Sequence, residues 1–129
     1  MTTADRTSNV TIWHNPACAT SRKVLAAIRG AGVEPVVVEY LRDPPSRDEI
    51  RAACRRMNIK VRDLLRRKAP AYARLELDTP QLSEGDLLDA IVEEPELIER
   101  PVVLAPGGAR LCRPPELVSE IVPGAVIRG

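Results

Sequence analysis

Asn9-Val10-Thr11-Ile12-Trp13-His14-Asn15-Pro16-Ala17-Cys18-Ala19-Thr20-Ser21-Arg22 is the stretch on which the fold turns. Residues 9–14 alternate apolar and polar side chains, the pattern of a strand. Asn15-Pro16 breaks it, and the residues from Ala17 to Arg22 lead into a helix whose apolar face carries Val24, Leu25 and Ile28. Gly30 and Gly32 stop that helix. The β-branched run Pro35-Val36-Val37-Val38-Glu39-Tyr40 then predicts a buried parallel strand. Strand, helix and strand within about 30 residues make a right-handed crossover unit.

Beyond that unit the pattern turns helical. Pro44-Pro45 precedes Ser46-Arg47-Asp48-Glu49, a capping-box pattern, after which Ile50, Cys54 and Met57 recur at helical spacing. Val61 to Lys68 predicts a short basic helix with Leu64 and Leu65 inward. Residues 69–82, which contain Pro70 and Pro80, read as irregular. Ser83 caps a further amphipathic helix through Leu87, Leu88, Ile91 and Val92 that ends before Pro95. Arg100-Pro101-Val102-Val103-Leu104, a Gly107-Gly108 turn and Ala109-Arg110-Leu111-Cys112 predict a β-hairpin. Pro114, at a first helical position, opens a last helix through Leu117, Val118 and Ile121. The expected division is a disordered lead at 1–8, one domain at 9–122 with a helical insert at about 46–94, and a C-terminal tail at 123–129. The order β-α-β, helical insert, β-β-α is the α/β thioredoxin-like arrangement. In that fold a proline at the start of the third strand, here Pro101, is expected to be cis beside the active cysteine.

Composition narrows the function. The chain has 129 residues, net charge +1 and aromatic content of 2% with no Phe. Its length suits one domain burying about two-thirds of its unfolded surface in an aliphatic core. Neither a nucleic-acid clamp nor an aromatic stacking platform is indicated. No apolar run reaches the roughly 18 residues needed to cross a bilayer, and Met1–Ser8 is too polar for a signal peptide. A cytoplasmic protein is expected. Sixteen of the nineteen basic residues are Arg, mostly a compositional bias, although Arg is also the better fork for oxyanions.

The three cysteines are an odd number, which argues against a disulfide framework. Cys18 lies between a strand end and a helix start, where unsatisfied amides and the helix dipole favour a thiolate. The same amides are an expected anion cradle, so thiolate and oxyanion would share one field. Cys54 falls on a helix's apolar stripe and reads as core. Cys112 closes the hairpin beside Arg113 and reads as structural. Ser21 stands three residues after Cys18, so there is no C-x-x-C, and Val24 stands six after it, so there is no C-x5-R loop. With one His and scattered cysteines, no metal site is expected. Any redox cycle at Cys18 therefore needs a distant cysteine or an external thiol. Among the arginines, Arg66, Arg100 and Arg113 stand apart by context: one on the basic helix, one before Pro101, one at the hairpin end.

The segment His14-Asn15-Pro16-Ala17-Cys18-Ala19-Thr20-Ser21-Arg22 resembles the active-site segment of the glutaredoxin-dependent arsenate reductases, the ArsC type. Agreement continues at Tyr40-Leu41, Pro44 to Glu49, Val61-Arg62, Leu64 to Arg66, Arg100-Pro101 and Arg110 to Pro114, spanning about residues 9 to 122. The resemblance implies reduction of arsenate to arsenite, with glutathione as co-substrate, glutaredoxin as partner and no bound cofactor. It also implies Cys18 as nucleophile, Arg66, Arg100 and Arg113 as oxyanion-binding residues, and His14 and Ser21 as activators of the cysteine. Ala19 replaces the family's usual Gly, a mild change. Two other readings stay open: an ArsC-like thiol reductase without arsenate turnover, and an Spx-type regulator that binds RNA polymerase. The missing C-x-x-C argues against the second.

Overall fold

A computed structural model describes residues 9–128. The expected lead at residues 1–8 lies outside the described residues. The described residues divide into two compact units, one made of those up to Tyr40 together with those from Arg100 on, the other of Leu41–Glu99.

The first unit is a four-stranded sheet in the order β2-β1-β3-β4. Strand β1 (Thr11–Trp13) leads through a turn into helix α1 (Ala19–Gly30), which returns to β2 (Val36–Val38), parallel to β1. The hairpin β3 (Val102–Ala105) and β4 (Gly108–Leu111) adds antiparallel pairings, β3 lying against β1. Ile12, Val24, Ile28, Val103, Cys112 and Val118 are all fully buried and form an aliphatic core. The expected crossover unit and hairpin are both present, and Arg100–Pro101 is cis, as expected of the third strand.

Three expectations change in this unit. Strand β2 is an edge strand, not a buried one: it pairs only with β1, and Val36 is 44% exposed. A β-branched run suits an edge as well as an interior strand, so composition could not separate them. The hairpin's connection is Pro106-Gly107, with Gly108 already in β4 at φ +143°. A side chain at Gly107 would come within 3.0 Å of the Ile121 carbonyl oxygen, so Gly107 serves close approach. The final helix is a 3-10 helix over Pro115–Glu120, and Pro114 is its N-cap. Pro115 disfavours the α region for the residue before it, and Pro114 accordingly sits extended at ψ 157°. The Arg113–Pro114 bond is also cis.

The second unit is helical: α2 (Arg47–Met57), α3 (Val61–Leu64), α4 (Pro70–Arg74) and α5 (Glu84–Glu93), followed by a 3-10 turn at Pro95–Leu97. Both expected caps form. The Ser46 hydroxyl accepts from the Glu49 N–H while the Glu49 carboxylate accepts from the Ser46 N–H, and Ser83 and Asp86 repeat the arrangement. Ile50, Cys54, Leu64, Leu88 and Ile91 are buried, whereas Val92 is not.

The basic helix ends four residues earlier than expected, at Leu64. Leu65 forms an antiparallel bridge with Ile98, and the Arg66 N–H donates to the Leu97 carbonyl at 2.8 Å. Burying Leu65 and Ile98 together takes the chain out of the helix, so Arg66 follows an extended Leu65 and lies outside it. In the segment expected to be irregular, Pro70 starts a helix instead of breaking one. It occupies the first turn, where no N–H is needed, and the Ala71 N–H donates to the Glu96 carboxylate.

These contacts rank in energy. Ile28→Ala empties a fully buried site and is expected to cost roughly 2–5 kcal/mol of unfolding free energy. Ser46→Ala removes one exposed cap and is expected to cost about 1 kcal/mol. Urea denaturation measures both, and a larger loss for Ser46→Ala would contradict this ranking.

Candidate active site

Cys18 is the N-cap residue of α1, with extended backbone at φ −94° and ψ 120°. The strand-turn-helix sequence puts it there: β1 ends at Trp13, Asn15-Pro16 turns the chain, and Ala19 begins the helix. The turn is closed by its own hydrogen bonds. Asn15 Oδ1 accepts from the Ala17 N–H at 2.9 Å, and the Asn15 carbonyl accepts from the Cys18 N–H at 3.0 Å. Arg22 reaches back from the helix and donates to the Pro16 carbonyl at 2.8 Å.

His14 and Ser21 are buried together, although seven residues apart in sequence. The His14 Nδ1 and Ser21 Oγ are 2.6 Å apart, and Ser21 Oγ also accepts from the Asn15 N–H at 3.1 Å. Burial lowers the His14 pKa and Arg29 and Arg22 push the same way, against an upward pull from Glu39. The ring is thereby held in its neutral form, and it touches the turn through Ser21.

Burial by itself would raise the Cys18 pKa. It is outweighed by the hydrogen-bonding Arg100 side chain, the Ser21 N–H, the Arg100 charge and the Thr20 N–H, so the thiol sits below its ordinary value. The sulfur makes no short cap bond to the helix. The two amides act as dipoles at somewhat longer range, while Arg100 supplies both a donor and a full charge. Arg113, exposed, donates to the Arg100 carbonyl at 3.1 Å, which ties the hairpin end to the residue before the cis-proline.

The other cysteines are opposite in character. Burial, with Glu84 and Asp63 adding to it, pushes Cys54 up to about 11. Burial pushes Cys112 up to about 12, Arg110 opposing and Glu120 adding. Both are protonated, poor nucleophiles at neutral pH.

Of the residues singled out in sequence, Cys18, His14, Ser21, Arg100 and Arg113 all belong to the first unit. Arg66 belongs to the second, half-buried after the Leu65–Ile98 bridge. The expected amide cradle is narrower than the sequence suggested. The Ala17 and Cys18 amides are consumed within the turn, and those of Thr20 and Ser21 act on the sulfur. Sequence reasoning treated Asn15 only as a strand breaker. The signal it passed over is the readiness of Asn to accept from an N–H two residues on. Among the described residues, no group of three His, Cys, Asp or Glu could hold a metal ion. No helix among them is long and apolar enough to cross a membrane.

An ionisable cysteine at the start of α1 and a cis-proline entering β3, on a four-stranded sheet of this order, place the chain in the thioredoxin-like α/β class. The ArsC family model matches residues 13–121, and the chain belongs to that family. It is 54% identical over 114 residues to an arsenate reductase of Rhizobium meliloti, covering 88% of this chain and 81% of that protein. An Escherichia coli K12 arsenate reductase is 48% identical over 118 residues, covering 92% and 84%. Among solved structures, an arsenate reductase from Vibrio cholerae superposes with a TM-score of 0.83 at 42% identity, covering 87% of this chain and 96% of that one.

The electrostatics predict which thiol reacts. Iodoacetamide at neutral pH is expected to label Cys18 well before Cys54 or Cys112, with labelling falling only as pH drops through the depressed Cys18 pKa. Replacing Arg100 by Gln removes the charge and should move that profile to higher pH. Peptide mass spectrometry across a pH series checks both, and an unmoved profile in Arg100→Gln would count against Arg100 as the principal stabiliser.

Proposed function

We propose that the protein is an arsenate reductase, an oxidoreductase that turns arsenate into arsenite with glutathione and glutaredoxin as electron donors. The observation that carries this is Cys18, a thiol held below its ordinary pKa by Arg100 and the start of α1, in a chain whose other two thiols are pushed upward. Membership of the ArsC family and arsenate reductases at 48–54% identity support the choice of substrate.

In this reading the Cys18 thiolate attacks arsenic(V). A sulfur–arsenic bond forms, an arsenic–oxygen bond breaks, and the departing oxygen takes up a proton as water. Arg100 and Arg113 neutralise the charge that develops on the oxyanion. For Arg66 that role rests on its match to the family's motif. His14 and Ser21 hold the turn in which the thiolate is generated. Two electrons are then required. A glutathione thiol attacks the intermediate, a glutaredoxin thiol resolves the mixed species, and arsenous acid leaves. Overall, arsenic acid and two thiols become arsenous acid, one disulfide and one water. The outside thiols are needed because Ser21 occupies the position at which a C-x-x-C would carry its second cysteine.

Arsenate-dependent NADPH oxidation, coupled through glutathione, glutaredoxin and glutathione reductase, tests the reading. Wild type, Cys54→Ala and Cys112→Ala should turn over, and Cys18→Ser should lose at least about a thousandfold, as removal of a covalent nucleophile does. NADPH oxidation driven by a glutathionylated substrate but not by arsenate would instead favour a thiol reductase.

A further inference from the structure

Asn15 does more than end a strand. Its side chain and both of its backbone polar groups are engaged in the cysteine turn: Oδ1 takes the Ala17 N–H, the carbonyl takes the Cys18 N–H, and its own N–H goes to Ser21 Oγ. Pro16 has no N–H to offer. Between Asn15 and Cys18, therefore, every backbone donor is already spent on the turn itself. At the helix start, the Thr20 and Ser21 amides act on the sulfur.

We propose that Asn15 is a positioning residue that divides the site's positive field, keeping the turn's amides away from the oxyanion and aiming those at the helix start at the Cys18 sulfur. The proposal rests on the reading of Cys18 as the nucleophile. Its physical basis is competition. An oxyanion seated on the same amides that stabilise a thiolate would draw their field away and raise the thiol pKa at the moment of attack. The closed turn withholds the Ala17 and Cys18 amides from the oxyanion and leaves it to guanidinium groups, which bond it bidentately and carry full charges, Arg100 among them serving both sulfur and oxyanion. Asn15 also links the two halves of the site, since the Ser21 oxygen that meets His14 Nδ1 accepts the Asn15 N–H as well. The charged and titratable groups acting around this turn are Arg100 from the start of β3, Arg22 from α1 and His14 at the end of β1, with Glu39 and Arg29 acting on His14 in turn.

Two readouts test it. The first is the pH profile of Cys18 alkylation without arsenate, and the second is kcat and KM for arsenate. Asn15→Ala should move the alkylation profile to higher pH and slow labelling at pH 7 by roughly three- to tenfold, as a shift of up to one unit does. In the same variant kcat should fall by a similar factor, with KM for arsenate within about twofold of wild type, because the oxyanion's ligands are untouched. Asn15→Ser, whose hydroxyl can accept the Ala17 N–H, should recover most of both. If Asn15→Ala does not fold, Asn15→Gln carries the test, since its amide sits one methylene too far out for that bond. A wild-type alkylation profile in Asn15→Ala or Asn15→Gln overturns the proposal, and so does a raised KM with unchanged kcat. The alkylation readout needs no arsenate, so a wild type that does not reduce arsenate sinks the functional reading while leaving this test intact.

Discussion

Cys18 must be sheltered and yet ionise, and the first unit is organised around that conflict. Shelter disfavours the charged form of a thiol, so a buried cysteine with nothing added stays protonated, as Cys54 and Cys112 do. At Cys18 the cost of burial is met by Arg100, a full charge from the start of β3, and by the first amides of α1. Arg100 lies far from the cysteine in sequence, and the Thr20 and Ser21 amides, though near in sequence, are aligned by the helix that Cys18 caps. The helix start is delivered by the β1–α1–β2 crossover, and Arg100 by the antiparallel pairing of β3 with β1. Sheet order and reactivity are therefore one fact seen at two scales: moving β3 from its place beside β1 would take Arg100 away from the sulfur.

The turn that carries Cys18 is held from several directions, which suits a site that must keep its geometry while its charge changes. Asn15 closes it from within, Arg22 pins the Pro16 carbonyl from the helix, and Ser21 ties it to a neutral His14 at the strand end. Exposed arginine contacts of this kind contribute little to stability individually. Their value lies in fixing where donors point. In the proposed reaction such a thiol performs the substitution at arsenic and leaves the two-electron reduction to thiols from outside.

Much of this was legible in the chain. The alternation of residues 9–14, the Asn-Pro break and the helical face of Val24 and Ile28 foretold the crossover, and Ser46 and Ser83 foretold two caps that form. What local pattern could not show were features set by pairing at a distance. Val36–Val38 is equally suited to an edge or an interior strand, and only its neighbours decide which. Leu65 leaves its helix because Ile98, thirty-three residues on, offers an antiparallel partner. Pro70 read as a breaker because the Glu96 carboxylate that caps its helix lies far along the chain. In the site, Cys18 stood out by its place at a helix start, and His14 and Ser21 through the resemblance to the ArsC type. Asn15 did not, because its contribution comes from hydrogen-bond geometry that composition does not display.

The central claim is that this chain supplies a single redox thiol and borrows the others. Intact-protein and peptide mass spectrometry of wild type treated with arsenate and glutathione, without glutaredoxin, tests it most directly. The account predicts an arsenic- or glutathione-bearing adduct confined to Cys18, with Cys54 and Cys112 left as free thiols. An intramolecular disulfide joining Cys18 to Cys54 or Cys112 would contradict it.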